Sequence, residues 1–228
     1  MTTQDKNLSP LQEDTAPFTN RIGILGAGRA GTALARAAAT VGIPVNIASS
    51  RSPSHMKYHL AQYAPKATAV PAKDISTDVS LVVLMVPQDD LDDVDRESLA
   101  GLTLIDATNR WEDMPLPSWL EDGQAAGLSS SEVIAQHFAS SRIVKALNHI
   151  SHWDLDSDSS TRQAQQRALA VASDHEADAV LVARLVRTLG FTPVLVGELP
   201  KGSLLEPEGE IFNQVLSPAQ LRALLHKS

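Results

Sequence analysis

A chain of 228 residues, 43% hydrophobic and 20% charged, has room for one large domain or two modest ones; it is too polar for a membrane protein and lacks any apolar run of bilayer length. A formal charge of −8 argues against a broad basic surface that would hold nucleic acid. The absence of cysteine excludes disulfides, thiolate nucleophiles and cysteine metal sites, and fits a reducing, cytoplasmic setting.

Residues 1–20 are polar, carry Pro10 and Pro17 and lack the apolar stretch of a secretory signal, so they read as a disordered leader. From Arg21 onward short apolar runs alternate with amphipathic stretches, the pattern of a parallel sheet covered by helices. Ile22-Gly23-Ile24-Leu25 is the first expected strand, and Leu34, Ala37, Ala38 and Val41 mark the helix after it. Residues 44–48 read as a second strand, 54–63 as a helix and 68–70 as a short third strand. The uninterrupted apolar run 81–86, closed by Pro87, predicts a strand buried on both faces. The acidic stretch 89–97 reads as a solvated helix, and 102–105 as a strand with residues 106–109 at its carboxyl end.

Ser129 and Glu132 have the spacing of a capping box, so a helix is expected through Val133, Ile134 and Phe138. Residues 142–147 form the next expected strand, ending at Asn148, and the polar stretch 157–165 reads as a loop. A further strand-helix-strand unit follows: 168–172, a helix capped by Ser173 and Glu176 with the stripe Val182, Leu185, Val186 and Leu189, then 192–196 after Gly190. The fold class is therefore α/β: a Rossmann-type, doubly wound, mostly parallel sheet over residues 21–147 with a small α/β portion over 148–228.

The turn Gly26-Ala27-Gly28-Arg29-Ala30-Gly31 carries the first chemical signal. In such a turn the first glycine permits a tight bend, the second lets backbone approach a pyrophosphate, and the third lets helix and strand pack closely. The following helix N-terminus offers unpaired N–H groups to the phosphates. Because the turn directly follows a strand and opens a helix, it reads as a dinucleotide site. NAD proteins place an acid after the second strand for the ribose hydroxyls; this chain has Ser49-Ser50-Arg51 instead, with His55 and Lys57 beyond. Hydroxyls and a guanidinium suit a 2′-phosphate, which favours NADP(H). His55 and His59 have metal-ligand spacing but no third ligand, so no metal is expected. No nucleophile elbow, Walker loop or spaced carboxylate pair is present, which leaves the chemistry to the cofactor.

These features, with residues 83–87, Ile143-Val144-Lys145-Ala146-Leu147-Asn148 and the closing Gly190-Phe191-Thr192-Pro193-Val194, resemble the F420-dependent NADP reductase family. The resemblance implies that Gly26 through Gly31 hold the pyrophosphate and that Ser50 and Arg51 hold the 2′-phosphate, with His55 in reach of it. It also implies that Val86, Pro87 and the Ala107-Thr108-Asn109 turn line the ribose and nicotinamide. Where the family holds its deazaflavin beside a His-Thr-Ile-Pro run, this chain reads Asn148-His149-Ile150-Ser151, making these four the acceptor-site candidates, with His149 a hydrogen-bond donor to the acceptor. Arg110 and Lys145 are candidates for a local basic patch.

Two functions follow as expectations. One is an NADP(H)-dependent oxidoreductase moving a hydride between NADPH and a small ring acceptor, whether F420, a flavin or a similar molecule. The other is a non-catalytic NADP(H)-binding sensor read by a partner. A dehydrogenase of 3-hydroxy acids or imines is a third option, disfavoured because its second domain is usually longer. A homodimer is expected from the family resemblance.

Overall fold

The computed structural model describes residues 16–111, 114–158 and 167–225. Among these residues eight strands form one sheet: β1 (Ile22–Leu25), β2 (Val45–Ala48), β3 (Thr68–Ala69), β4 (Leu81–Leu84), β5 (Thr103–Asp106), β6 (Arg142–Lys145), β7 (Ala168–Ala172) and β8 (Thr192–Gly197). Their order is β3-β2-β1-β4-β5-β6-β7-β8. Every neighbouring pair is parallel except β6 and β7, which meet antiparallel at Lys145 and Ala172. The expected doubly wound, mostly parallel sheet is therefore the observed one, and its strand order reverses between β1 and β4.

Among the described residues seven α-helices flank the sheet: α1 (Arg29–Thr40), α2 (Pro53–Tyr63), α3 (Ser118–Ala125), α4 (Ser130–His137), α5 (His152–Asp158), α6 (Glu176–Thr188) and α7 (Pro218–Leu225). Successive strand residues point to opposite faces, and both faces are covered. Leu81, Val83, Ile105 and Val144 face a core shared with Leu34 of α1, Met56 of α2 and Val182 of α6. Val82, Leu84, Leu104 and Ile143 face Leu120 of α3 and Val133 and Ile134 of α4. That is why these strands read as unbroken apolar runs rather than alternating ones. A smaller cluster joins Ala168 and Ala170 of β7 to Val194, Ile211 and Leu221.

Local chemistry explains several boundaries. The capping box at α4 is formed: the Glu132 amide donates to Ser129 Oγ at 3.3 Å, and the Ser129 amide donates to Glu132 Oε2 at 2.9 Å. The one expected at α6 is not. There His175 is the N-cap, and Ser173 Oγ instead donates to the Ile143 carbonyl at 2.7 Å, tying the end of β7 to β6. The acidic stretch after Pro87 forms two short 3-10 turns, Gln88–Asp93 and Glu97–Leu99, not a solvated α-helix. A helix there would stack like charges such as Asp89 and Asp93 one turn apart, and only Gln88, Leu91 and Leu99 are anchored by burial.

The leader expected to be disordered lies outside the described residues up to residue 15. The part beyond it packs on α6. Phe18 is buried among the core residues, its amide donates to Thr188 Oγ1 at 2.8 Å, and Arg184 Nε donates to the Ala16 carbonyl at 3.3 Å. Burying one large aromatic ring offsets the entropy of ordering a few residues. The loop expected over 157–165 lies mostly outside the described residues, and its first two positions end α5. The sequence reading also missed α3, α5, α7 and the 3-10 segment Leu199–Leu205. Among the described residues no helix is long and apolar enough to cross a membrane.

Candidate dinucleotide site

The glycine turn stands at the carboxyl end of β1, beside the point where strand order reverses, which is where open α/β sheets bind ligands. Gly26 has φ +116°, and a Cβ there would lie 2.2 Å from the Met85 carbonyl oxygen. A Cβ on Gly31 would lie 1.8 Å from the Gly26 carbonyl oxygen, so α1 and β1 approach as closely as backbones allow. Gly28 differs: a Cβ there would meet nothing within 4 Å. Two of the glycines thus serve packing, and the third keeps the cleft side of the turn clear.

Gly28 is the N-cap of α1, with no side-chain cap and no acid in the first turn. Thr32 is the first residue whose N–H is taken up, by the Gly28 carbonyl at 3.0 Å. The preceding amides of Arg29, Ala30 and Gly31 are the unsatisfied donors of a helix start, and the helix dipole adds positive potential.

β2 runs in register with β1, Leu25 opposite Ala48, and this brings Ser49, Ser50 and Arg51 to the same cleft. The cleft has a volume of about 280 Å³ and is lined by Ala27, Gly28, Ser49, Ser50, Arg51, Met56 and His59. Ser49 Oγ donates to Met56 Sδ at 3.0 Å and accepts from the Arg51 amide at 3.1 Å, shaping the loop. Arg51 is exposed, and its guanidinium has no ion-pair partner among the described residues. His55 does not line the cleft. Its Nδ1 lies 3.0 Å from Ser52 Oγ in the first turn of α2. His59, one turn later, does line it, and its Nε2 donates to the Ala27 carbonyl at 2.8 Å. The helical spacing that had suggested a metal pair instead puts one histidine on the loop and the other on the glycine turn; among the described residues no cluster of three His, Asp or Glu side chains could hold a metal ion.

The second half of the crevice lies at the carboxyl ends of β4, β5 and β6. Val86 is half-buried and Pro87 exposed, and Gln88, which the sequence reading passed over, is buried. Gln88 Nε2 donates to Thr108 Oγ1 at 3.1 Å while its Oε1 has no partner among the described residues. Ala107 is tied to β4 through the Leu84 carbonyl. Thr108 donates twice to Asp106 Oδ1, from its amide at 3.0 Å and its hydroxyl at 2.7 Å. Asn109 and Asn148 lock together: Asn109 Nδ2 donates to the Asn148 carbonyl at 2.8 Å, and Asn148 Nδ2 donates to Asn109 Oδ1 at 3.0 Å and to the Leu205 carbonyl at 2.6 Å.

Lys145 is not part of a surface patch. It is fully buried, with Nζ 3.0 Å from Asp106 Oδ2 and 2.9 Å from the Thr108 carbonyl, and Ser131 Oγ donates to the same carboxylate oxygen. Burial alone would raise the pKa of Asp106; the Lys145 ammonium and the Ser131 and Thr108 hydrogen bonds outweigh it and hold the carboxyl below its usual value. Arg110 is exposed, as expected.

His149 cannot serve an acceptor as donor from this position. The ring is 1% exposed, its Nε2 accepts the Ala170 amide at 3.1 Å, and its Nδ1 faces Asn148 Oδ1 at 3.4 Å. Burial, with the positive charges of Arg167 and Lys145, pushes its pKa down to about 3, so the ring is neutral. Ile150 packs into the core, and Ser151 Oγ accepts the Asp154 amide at 3.1 Å, at the start of α5. A larger hollow, about 410 Å³ and lined by Arg96, His137 and Ser140 among others, lies at the amino-terminal ends of β5 and β6. It is at the wrong end of the sheet for this fold's ligands.

A glycine turn at the strand-order reversal, an uncapped helix start and, after β2, a guanidinium without an ion-pair partner among the described residues define a Rossmann-type dinucleotide-binding protein of the NAD(P) kind. Residues 21–110 match the family described as NADP oxidoreductase, coenzyme F420-dependent, the family that the sequence resembles. No curated protein matches the chain. Among solved structures it is similar to a hypothetical protein from Sinorhizobium meliloti, at 26% identity and TM-score 0.75 over 88% of this chain and 96% of that one. A protein from Arthrobacter sp. FB24, provisionally described as an F420-dependent NADP reductase, is 23% identical with TM-score 0.65, over 81% and 87% of the two chains. An imine reductase from Pseudomonas sp. shares the fold at 17% identity and TM-score 0.56, over 92% of this chain but 62% of that one.

Proposed function

We propose that the protein is an NADP(H)-dependent oxidoreductase that moves a hydride between NADPH and a small conjugated ring acceptor. The observation that carries this reading is the single cleft joining Gly28, at the uncapped start of α1, to Ser50 and the exposed Arg51. The residues present fit the dinucleotide. The free amides of Arg29 to Gly31 suit the pyrophosphate, Ser50 and Arg51 suit the 2′-phosphate, and the open side of Gly28 leaves room for the phosphate oxygens. The partnerless Gln88 Oε1, buried between the ends of β4 and β5, suits an N–H donor such as a carboxamide.

When bound, NADPH supplies a hydride from its nicotinamide ring. The chain's part is to orient and to exclude water. Val86, Pro87 and the Ala107 to Asn109 turn form the floor at the nicotinamide end, and the Asp106–Lys145 pair holds Thr108 at both its carbonyl and its amide sides. Asn148, at the start of the C-terminal portion, closes the acceptor side through its lock with Asn109. Mixing the protein with NADPH and a panel of F420, FMN, FAD, riboflavin and quinones, and following NADPH oxidation, tests the reading: steady turnover with any of them supports it. Tight NADPH binding without turnover supports the alternative, a non-catalytic sensor, which is favoured by the engagement of Asn148 and His149 with protein groups. Absence of NADPH binding sinks both.

A further inference from the structure

We infer that the acceptor ring is seated against the indole of Trp111, backed by Phe212, and that this seat selects a flat, uncharged conjugated ring; the inference rests on the nicotinamide reading above. Trp111 lies two residues beyond Asn109 and is 53% exposed. Its ring meets that of Phe212 edge-on, centroids 6.2 Å apart and planes 66° apart. Such an edge-on neighbour leaves about half of the residue exposed, surface against which another ring can pack.

Both rings are held to the carboxyl ends of β5 and β6. Asn109 is locked to Asn148, and the amide of Asn213, next to Phe212, donates to the His149 carbonyl at 3.0 Å. The aromatic pair is therefore tethered beside the carboxyl ends of β5 and β6, and Asn148 and His149, to which its neighbours are bonded, are buried, as is Ile150. The side chains expected to touch the acceptor support the seat, and the aromatic side chains form it. Charge narrows the ligand class. Glu208 and Glu210 are exposed just before Phe212, and Arg110 is the one cation beside Trp111 in sequence. This balance disfavours an acceptor bearing an anionic tail.

The test uses the full chain loaded with NADP+ and follows quenching of riboflavin fluorescence on titration, which reads binding without requiring turnover. Trp111→Ala is expected to weaken riboflavin about tenfold, the scale of one lost ring stack. Trp111→Phe should restore most of that loss, and both variants should keep wild-type NADPH affinity by calorimetry. FMN should bind more weakly than riboflavin. The proposal is overturned if riboflavin does not bind the loaded wild-type protein, if Trp111→Ala binds it as tightly as wild type, or if FMN is clearly preferred. A wild-type protein without NADPH affinity instead removes the dinucleotide reading underneath.

Discussion

The ammonium of Lys145 and the carboxylate of Asp106 lie 3.0 Å apart with neither side chain exposed, and the two residues are direct partners in the β5–β6 register. Removing one member of such a pair strands the other charge away from water. Lys145→Met should therefore lower unfolding stability by about 3–5 kcal/mol. The double variant Lys145→Met/Asp106→Leu should recover a large part of it. Urea denaturation of the two proteins checks this; a single variant within 1 kcal/mol of wild type, on the order of a surface change, would contradict it.

The three glycines of the turn should separate stability from binding. Gly31→Ala drives a methyl into the Gly26 carbonyl and should cost about 3 kcal/mol or more, since backbone cannot yield as a side chain can. Gly28→Ala meets open space and should cost about 1 kcal/mol or less, yet its methyl enters the proposed phosphate seat. Thermal melts paired with NADPH calorimetry should show a stable Gly28→Ala protein with NADPH affinity reduced tenfold or more. Equal stability losses at the two positions would refute the division.

Arg51 sets the dinucleotide preference in the proposed reading. Its guanidinium has no ion-pair partner among the described residues, so Arg51→Ala should leave stability unchanged. NADPH affinity should fall by about 1.5–3 kcal/mol, the scale of a charge-assisted hydrogen bond. NADH affinity should not move. An unaltered NADPH to NADH ratio would remove the 2′-phosphate assignment.

Acid should destabilise the protein through His149 before the carboxylates titrate. Its pKa is about 3 in the folded chain against 6.5 for the free group, so between those values the unfolded state binds more protons. Stability is then full above pH 6.5 and declines as pH falls, at a limiting slope of about 1.4 kcal/mol per pH unit. His149→Gln can still accept the Ala170 amide and should flatten this slope between pH 6.5 and 4. Denaturant midpoints across that range are the measurement, and equal slopes in the two proteins would exclude His149 as the cause.

Much of this was legible along the chain because the relevant signals are local. The β1-turn-α1 unit, the Ser50-Arg51 pair and the Ser129–Glu132 capping box each need only a few consecutive residues, and each expected local element is present. The Ser173–Glu176 spacing looked equally good and failed, because α6 starts only at Glu176 with His175 as its N-cap, while Ser173 is held at the end of β7 by the Ile143 carbonyl, 30 positions away. A lysine ending an apolar strand run was the available signal for the buried pair, since such a cation requires an acid nearby. Nothing local marked Gln88 or His59 as crevice residues.

The sequence by itself determined the class of fold and the glycine turn between β1 and α1, since apolar periodicity and glycine placement act over a few residues. Only the tertiary structure decided which polar side chains face the crevice. It turned His149 inward to the Ala170 amide, buried Lys145 on Asp106 and left Trp111 half in water. Those outcomes depend on partners from distant strands, and a buried polar group takes whichever partner the packed sheet brings within reach.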